Sequence, residues 1–214
     1  MTTYTAVGKP ITRQEGPDKV SGNFQYAADV NLPGMIWGKV LRSPYPHAKI
    51  VKIDISRASQ LPGVHAIITG EDTKGMRVGR LIRDVPLLAE DRVRFVGEKV
   101  AAVAAIDADT AEEAIGLIDV EYEPLPAIFD PVDAIAPGSP LVHEGSPSFQ
   151  AGSSSVEPQG NILDLSTWSN GDLDQGFKDS DFIFEHTFTT TWVHQGYMEP
   201  YACLLYTSPS PRDS

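Results

Sequence analysis

A single cysteine, Cys203, stands in a chain of 214 residues. It excludes an internal disulfide, a CxxC metal knuckle and a cysteine-ligated iron–sulfur cluster within this chain, since each needs at least two thiolates. No apolar run approaches the ~18 residues of a membrane-spanning helix. The N-terminal stretch MTTYTAVGKPITRQEG lacks an apolar h-region and a small-residue cleavage site, so a cytoplasmic protein is expected. Basic residues are few, 17 against 29 acidic, and the resulting net charge of −12 repels phosphate backbones. Nucleic acid is not an expected partner.

Several motifs are also missing. There is no GxxxxGK[ST] phosphate loop, no GxGxxG and no GxSxG elbow. HExxH fails because Gly-Ser-Pro follows His143-Glu144, which reads as a loop histidine beside an exposed acid. His47, between Pro46 and Ala48, reads as a surface-loop residue and not as a ligand.

What is present is an ordinary globular composition, 41% hydrophobic and 21% charged, long enough for one large domain or two small ones. Residues up to Gly22 read as an irregular polar arm ending in a KVSG turn. IWGKVL and AKIVKIDI then have strand periodicity, the second placing Val51, Ile53 and Ile55 on one face. RSPYPHA between them is a proline loop. Ser56 reads as an N-cap, Pro62-Gly63 as a helix stop, VHAIIT as a strand and GEDTKGMRVGR as a mobile polar loop. VRFVGEKVAAVAAI is nearly continuously apolar, and its Val/Ala-rich second half predicts a strand buried on both faces.

Asp109-Thr110-Ala111-Glu112 fits a capping box, and Ala111, Ala114, Ile115 and Ile118 follow at helical spacing. A strand is expected at DVEYEP. A Pro/Gly/Ser-rich connection from Asp130 to Gln159 marks a boundary. GDLDQGFKDSD allows one helical turn or two, and DFIFEHTFTTTW predicts a strand with Phe182, Phe184, His186 and Phe188 on one face. His194, Gln195 and Glu199 follow that apolar stretch. They read either as a hydrogen-bonded strand end or as part of a buried site.

Taken together, VGKPITRQEGPDKVSGNFQYAADV, GMIWGKVLRSPYPHAKIVKIDISRASQLPGVHAIITGED and PLLAEDRVRFVGEKVAAVAAIDADTAEEAIGLIDVEYEPLPAIFDP resemble the N-terminal α/β hammerhead domain of molybdenum hydroxylase large subunits, the xanthine dehydrogenase and aldehyde oxidase family. GDLDQGFKDSDFIFEHTFTTTWVHQGYMEPYACL resembles the start of the molybdopterin-binding domain that follows it. The resemblance runs from about residue 7 to 204. It implies an α+β fold: an arm at 1–18, the hammerhead at 19–130, a linker at 131–160 and a truncated start of the molybdopterin-binding domain at 161–204.

The resemblance further implies an oxidoreductase that hydroxylates a carbon of an N-heterocycle or aldehyde with water as the oxygen source. Its cofactor would be molybdenum-molybdopterin, with iron–sulfur clusters and FAD on small and medium partner chains. The family's Gly-Gly-Phe-Gly-Gly segment and its late base glutamate have no counterpart here, so no catalytic residue and no metal ligand is expected in this chain. Gln195 and Glu199 match a segment near the cofactor domain's interior and are candidates to support the cofactor's immediate ligands. The final YTSPSPRDS has no place in the pattern; residues 205–214 are read as foreign sequence, the alternative being a natural disordered tail. The fragment is expected to be inactive, against the alternative of a non-catalytic acidic hammerhead that serves as an interaction module.

Overall fold

The computed structural model describes residues 7–79, 83–143, 160–162, 168–197, 199 and 202–204. The expectations for most of the connection (144–159) and for the tail (205–214) lie outside the described residues. The chain divides into two units, Met1–Gly34 with Asp181–Ser214, and Met35–Ser180.

In the first unit, α1 (Gly16–Ser21) places a proline in its first turn and ends on Gly22, whose φ of 77° supplies the left-handed cap. The expected KVSG turn is therefore the end of a short helix. A 3₁₀ turn follows at Ala27–Asp29, where the Asp29 carboxylate accepts from the Tyr26 amide at 2.9 Å. The strand expected at DFIFEHTFTTTW does not form. Residues 182–197 have no regular structure, and Phe182, Phe184, Phe188 and Trp192 are all at least 81% exposed. Alternating apolar residues do not make a strand without a ladder partner, and none of the sheets includes this segment.

The second unit begins with β1 (Trp37–Arg42), β2 (Ala48–Asp54), α2 (Ser56–Ser59) and β3 (Val64–Thr69). Short strands β4 (Arg77–Val78), β5 (Val85–Pro86) and β6 (Arg92–Val93) lead to β7 (Lys99–Ala105). Then come α3 (Ala108–Gly116), β8 (Asp119–Pro124), α4 (Pro131–Ala134) and α5 (Leu173–Lys178). Among the described residues the strands form three sheets, in the orders β1-β7-β3, β6-β2-β8 and β4-β5, each pairing antiparallel.

β7 is the centre, as its composition predicts. Ala101 and Val103 join Ala58, Ala114 and Ile118 in one core, while Val100 faces the other way into a second core with Ala48, Ala89 and Val93. Alternate residues of one strand thus fill two cores, which is why it carries almost no polar residue. Alanines on β7 and on α3 let the helix lie close to the strand. Burying Val100 completely contributes about 2 kcal/mol.

Three local readings change. On β2 the register shifts between Ile50 and Lys52, leaving Val51 half exposed while Ile50 and Ile53 pack inward. A bulge inserts one residue and reverses the alternation after it, so the inward face is Ala48, Ile50 and Ile53. Ser56 does not cap α2; its hydroxyl and its amide both donate to the Asp54 carboxylate. The GEDTKGMRVGR segment is tied down as far as it is described: Glu90 accepts from the Gly75 amide at 2.8 Å and pairs with Arg77.

The cap of α3 is also two residues earlier than the capping box suggests. Asp107 is extended, and its carboxylate accepts from the Thr110 amide at 2.7 Å, so the helix starts at Ala108. The Thr110 hydroxyl first, and then that amide bond, hold the Asp107 carboxyl below its ordinary range. Replacing Asp107 by Ala is expected to cost about 1 kcal/mol, read as a fall of roughly 2–4 °C in thermal midpoint, whereas Asp109→Ala should change little.

Candidate functional site

The two residues suggested by sequence, Gln195 and Glu199, are both exposed on irregular chain in the first unit. Nearby, the His194 Nδ1 accepts from the Gly196 amide at 3.0 Å, a local turn contact. The His194 and Tyr197 rings lie 6.4 Å apart, and Cys203 is exposed. Met198, Pro200 and Tyr201, which belong to the same stretch, lie outside the described residues. The described part of this stretch encloses no site.

Buried polar chemistry lies instead in the second unit, around the turn from β6 to β7. Glu98 is only 3% exposed. Its Oε2 accepts from the Arg94 amide, closing the turn on itself, and its Oε1 lies 3.6 Å from the Arg94 guanidinium. The Glu98 amide donates to the Phe95 carbonyl at 3.1 Å. Ser43 locks the turn to the loop after β1: its amide donates to the Glu98 carbonyl at 2.9 Å, and its carbonyl accepts from Gly97 at 2.8 Å. Burial pushes the Glu98 carboxyl above its ordinary range, while the Arg94 amide and charge pull it back.

Arg94 also reaches Asp91 at 3.8 Å, so one guanidinium offsets two carboxylates. Its side chain is 15% exposed. Next to it lies His143, which is half-buried with Nε2 3.6 Å from the Asp84 carboxylate. Burial holds the His143 ring below its usual range, the Arg94 charge adds to this, and Asp84 opposes it. The expected loop histidine is thus packed against the fold; its neighbour Glu144 lies outside the described residues.

His47 is likewise not a free surface residue. Its Nδ1 lies 2.6 Å from the Pro126 carbonyl, and its own carbonyl accepts from Leu125 at 3.0 Å. Pro46, His47, Arg94, Pro126, Ile128 and the 140–142 segment line one small cleft. Asn161 fastens that last segment, giving its Nδ2 to Ala134 and Pro140 and accepting from Val142, each at 2.9 Å. The sequence signal for this cluster was present, since an acid beside Gly97 interrupts an otherwise apolar run in RFVGEKVAAVAA. What it did not reveal was which basic residue turns inward to meet Glu98.

Two family models match the chain in order. That of the aldehyde oxidase and xanthine dehydrogenase a/b hammerhead domain covers residues 21–126, and that of the molybdopterin cofactor-binding domain covers 155–212. A probable xanthine dehydrogenase subunit of Bacillus subtilis strain 168 is 42% identical over 195 residues, which is 90% of this chain and 24% of that protein. The nicotinate dehydrogenase large molybdopterin subunit of Eubacterium barkeri is 34% identical over 204 residues, 95% of this chain and 45% of that one. Among solved structures, a reconstituted CO dehydrogenase from Oligotropha carboxidovorans superposes with a TM-score of 0.58 at 39% identity, over 63% of this chain and 17% of the other. The chain therefore spans less than half the length of these relatives. It belongs to the molybdenum hydroxylase family of xanthine dehydrogenases and aldehyde oxidases, as an α/β hammerhead domain followed by the start of a molybdopterin-binding domain.

Proposed function

We propose that the complete protein is a molybdenum-cofactor-dependent oxidoreductase that hydroxylates a carbon of an N-heterocycle or an aldehyde, taking the oxygen from water. The observation that carries this reading is the ordered succession of hammerhead and molybdopterin-binding sequence in one chain. Two relatives are named for xanthine and nicotinate, both N-heterocycles, which favours that substrate class. Both of those relatives are also named as subunits, the second as a large molybdopterin subunit. This supports partner chains, a small one and a medium one, to which we assign the iron–sulfur clusters and FAD. The lone Cys203 is consistent with clusters held on another chain.

The described residues of this chain do not fit a pterin or molybdenum cradle. Gln195 is exposed, a Cβ built on Gly196 would meet no atom within 4 Å, and no group of three His, Cys, Asp or Glu is placed to hold a metal among the described residues. No step of the reaction is therefore assigned to these side chains. The role proposed for the second unit is that of a rigid scaffold, its Arg94–Glu98 turn, closed by the buried Glu98 carboxylate, fixing the shape of the surface it offers to the rest of the enzyme.

The purified 214-residue chain is expected to contain no molybdenum by elemental analysis, and stoichiometric metal would overturn the assignment of this chain as inactive. The enzyme reading is tested separately. The complete large chain, co-expressed with its partners, is expected to carry molybdenum and to reduce an artificial electron acceptor with an N-heterocycle or an aldehyde. A metal-loaded complex that oxidises neither class would refute it.

A further inference from the structure

Residues 182–192 read FIFEHTFTTTW, with no proline or glycine and with Glu185 as their one Asp, Glu, Lys or Arg. Phe182, Phe184 and Phe188 are 81–88% exposed and Trp192 is fully exposed. Their numbers are all even, so on an extended backbone the four rings share one face, and Ile183, Glu185 and Thr187 lie on the other. Aromatic and β-branched residues of this kind favour strands. Yet none of the sheets includes the segment, and its amides have no backbone partner among the described residues. An apolar, nearly uncharged stretch with unpaired N–H and C=O groups is a template for another strand.

A second copy of the same segment satisfies it. The chain's net charge of −12 opposes association, but this segment contributes only one of the acids. Parallel, in-register pairing would set Glu185 against its own copy, and like charges directly opposite are destabilising. Antiparallel pairing about His186 instead sets Phe184 opposite Phe188 in both directions and Glu185 opposite Thr187. All the aromatic rings of the pair then lie on one face. At ~150–250 Å² each, they carry about 1,200–2,000 Å², the area that a stable interface buries. A two-stranded ribbon alone is marginal in water, so two ribbons closing face to face are what buries that area.

We propose that this chain associates with copies of itself through residues 182–192, paired antiparallel about His186, with the ring faces of two such ribbons packed together in a closed tetramer. Both contacts are isologous, so the assembly closes without leaving a ring face exposed. It uses neither cofactor nor substrate and is independent of the oxidoreductase reading.

The test is sedimentation velocity of the 214-residue chain over a wide concentration range, with amide hydrogen exchange on the same samples. Dimers and tetramers in equilibrium are expected, with protection of the 182–192 amides rising as they form. Phe184→Lys, on the ring face, should weaken association about tenfold or more. Thr189→Lys adds the same charge on the opposite face and should leave association nearly unchanged. Both substitutions lie outside the second unit, so an unchanged thermal midpoint of that unit shows that the chain still folds. A monomer at every concentration, association that stops at the dimer, open-ended aggregates, unprotected 182–192 amides in the oligomer, or equal weakening by both substitutions would overturn the proposal.

Discussion

Gly70→Ala is expected to destabilise the second unit by about 3 kcal/mol or more, the upper range for overpacking. Gly70 is buried at the end of β3, where a Cβ would lie 2.0 Å from the Ala89 carbonyl oxygen and 2.7 Å from its carbon. Backbone, not a flexible side chain, occupies the space. Ala89 cannot retreat cheaply either, since its amide donates to the Lys99 carbonyl of β7 at 2.7 Å and its methyl belongs to the second core. A fall of roughly 10 °C in thermal midpoint is the expected reading. Gly116→Ala is the control, because nothing lies within 4 Å of a Cβ there and its φ is not positive. It should be neutral or slightly stabilising, as a helical Gly-to-Ala change usually is. Equal effects at both positions would refute the close approach of β3 to residue 89.

Arg94→Met should be comparably damaging, at about 3–5 kcal/mol, because it leaves the Glu98 carboxylate buried without its counter-charge. The loss should depend on pH with a definite sign. Glu98 titrates above its unfolded value because burial disfavours its charge. Its contribution to stability is therefore fully present below the ordinary carboxylate range and is lost as pH rises through the raised folded pKa. Removing Arg94, which pulls that pKa down, pushes it further up and extends the window. The difference between wild type and Arg94→Met in urea midpoints should consequently shrink on acidification towards pH 4 and be full at pH 7. Adding Glu98→Gln to Arg94→Met should restore most of the stability at pH 7, since no buried charge then remains. A pH-independent difference, or no recovery in the double variant, would mean that packing and not charge is what Arg94 supplies.

Large parts of the architecture were legible because they rest on local periodicity. β7 declared itself through Val100 to Ala105, which have no polar face to show to water. α3 declared itself through Ala111 and Ala114 at helical spacing, both buried, with Ile118 buried just past its end. Errors arose where one residue alters the phase or where a side chain reaches beyond its own element. Val51 is locally an ordinary strand residue, and only pairing with β8 makes it the bulge. Asp107 and Asp109 are equally good caps by composition, and the extended backbone at 107 decides between them. The aromatic alternation at 182–188 shows an apolar segment but not an unpaired one, because pairing depends on another strand.

The candidate site was legible only as family resemblance. Gln195 and Glu199 are marked by their neighbours in sequence, yet here they stand exposed. His47, Arg94 and Glu98 were ordinary in sequence: a histidine between a proline and an alanine, and an arginine and an acid flanking Phe-Val-Gly. By itself the sequence determined most of the order of elements in the second unit and the two-sided burial of β7, because composition and spacing along the chain encode them directly, and it pointed to the family through the resemblance of its ordered segments. Only the tertiary structure decided that Arg94 would turn inward onto the buried Glu98 and that His47, 47 residues before Arg94 in the chain, would line a cleft with it. Desolvation and hydrogen bonding act between atoms close in space, and a chain must fold before residues so far apart in sequence can constrain one another.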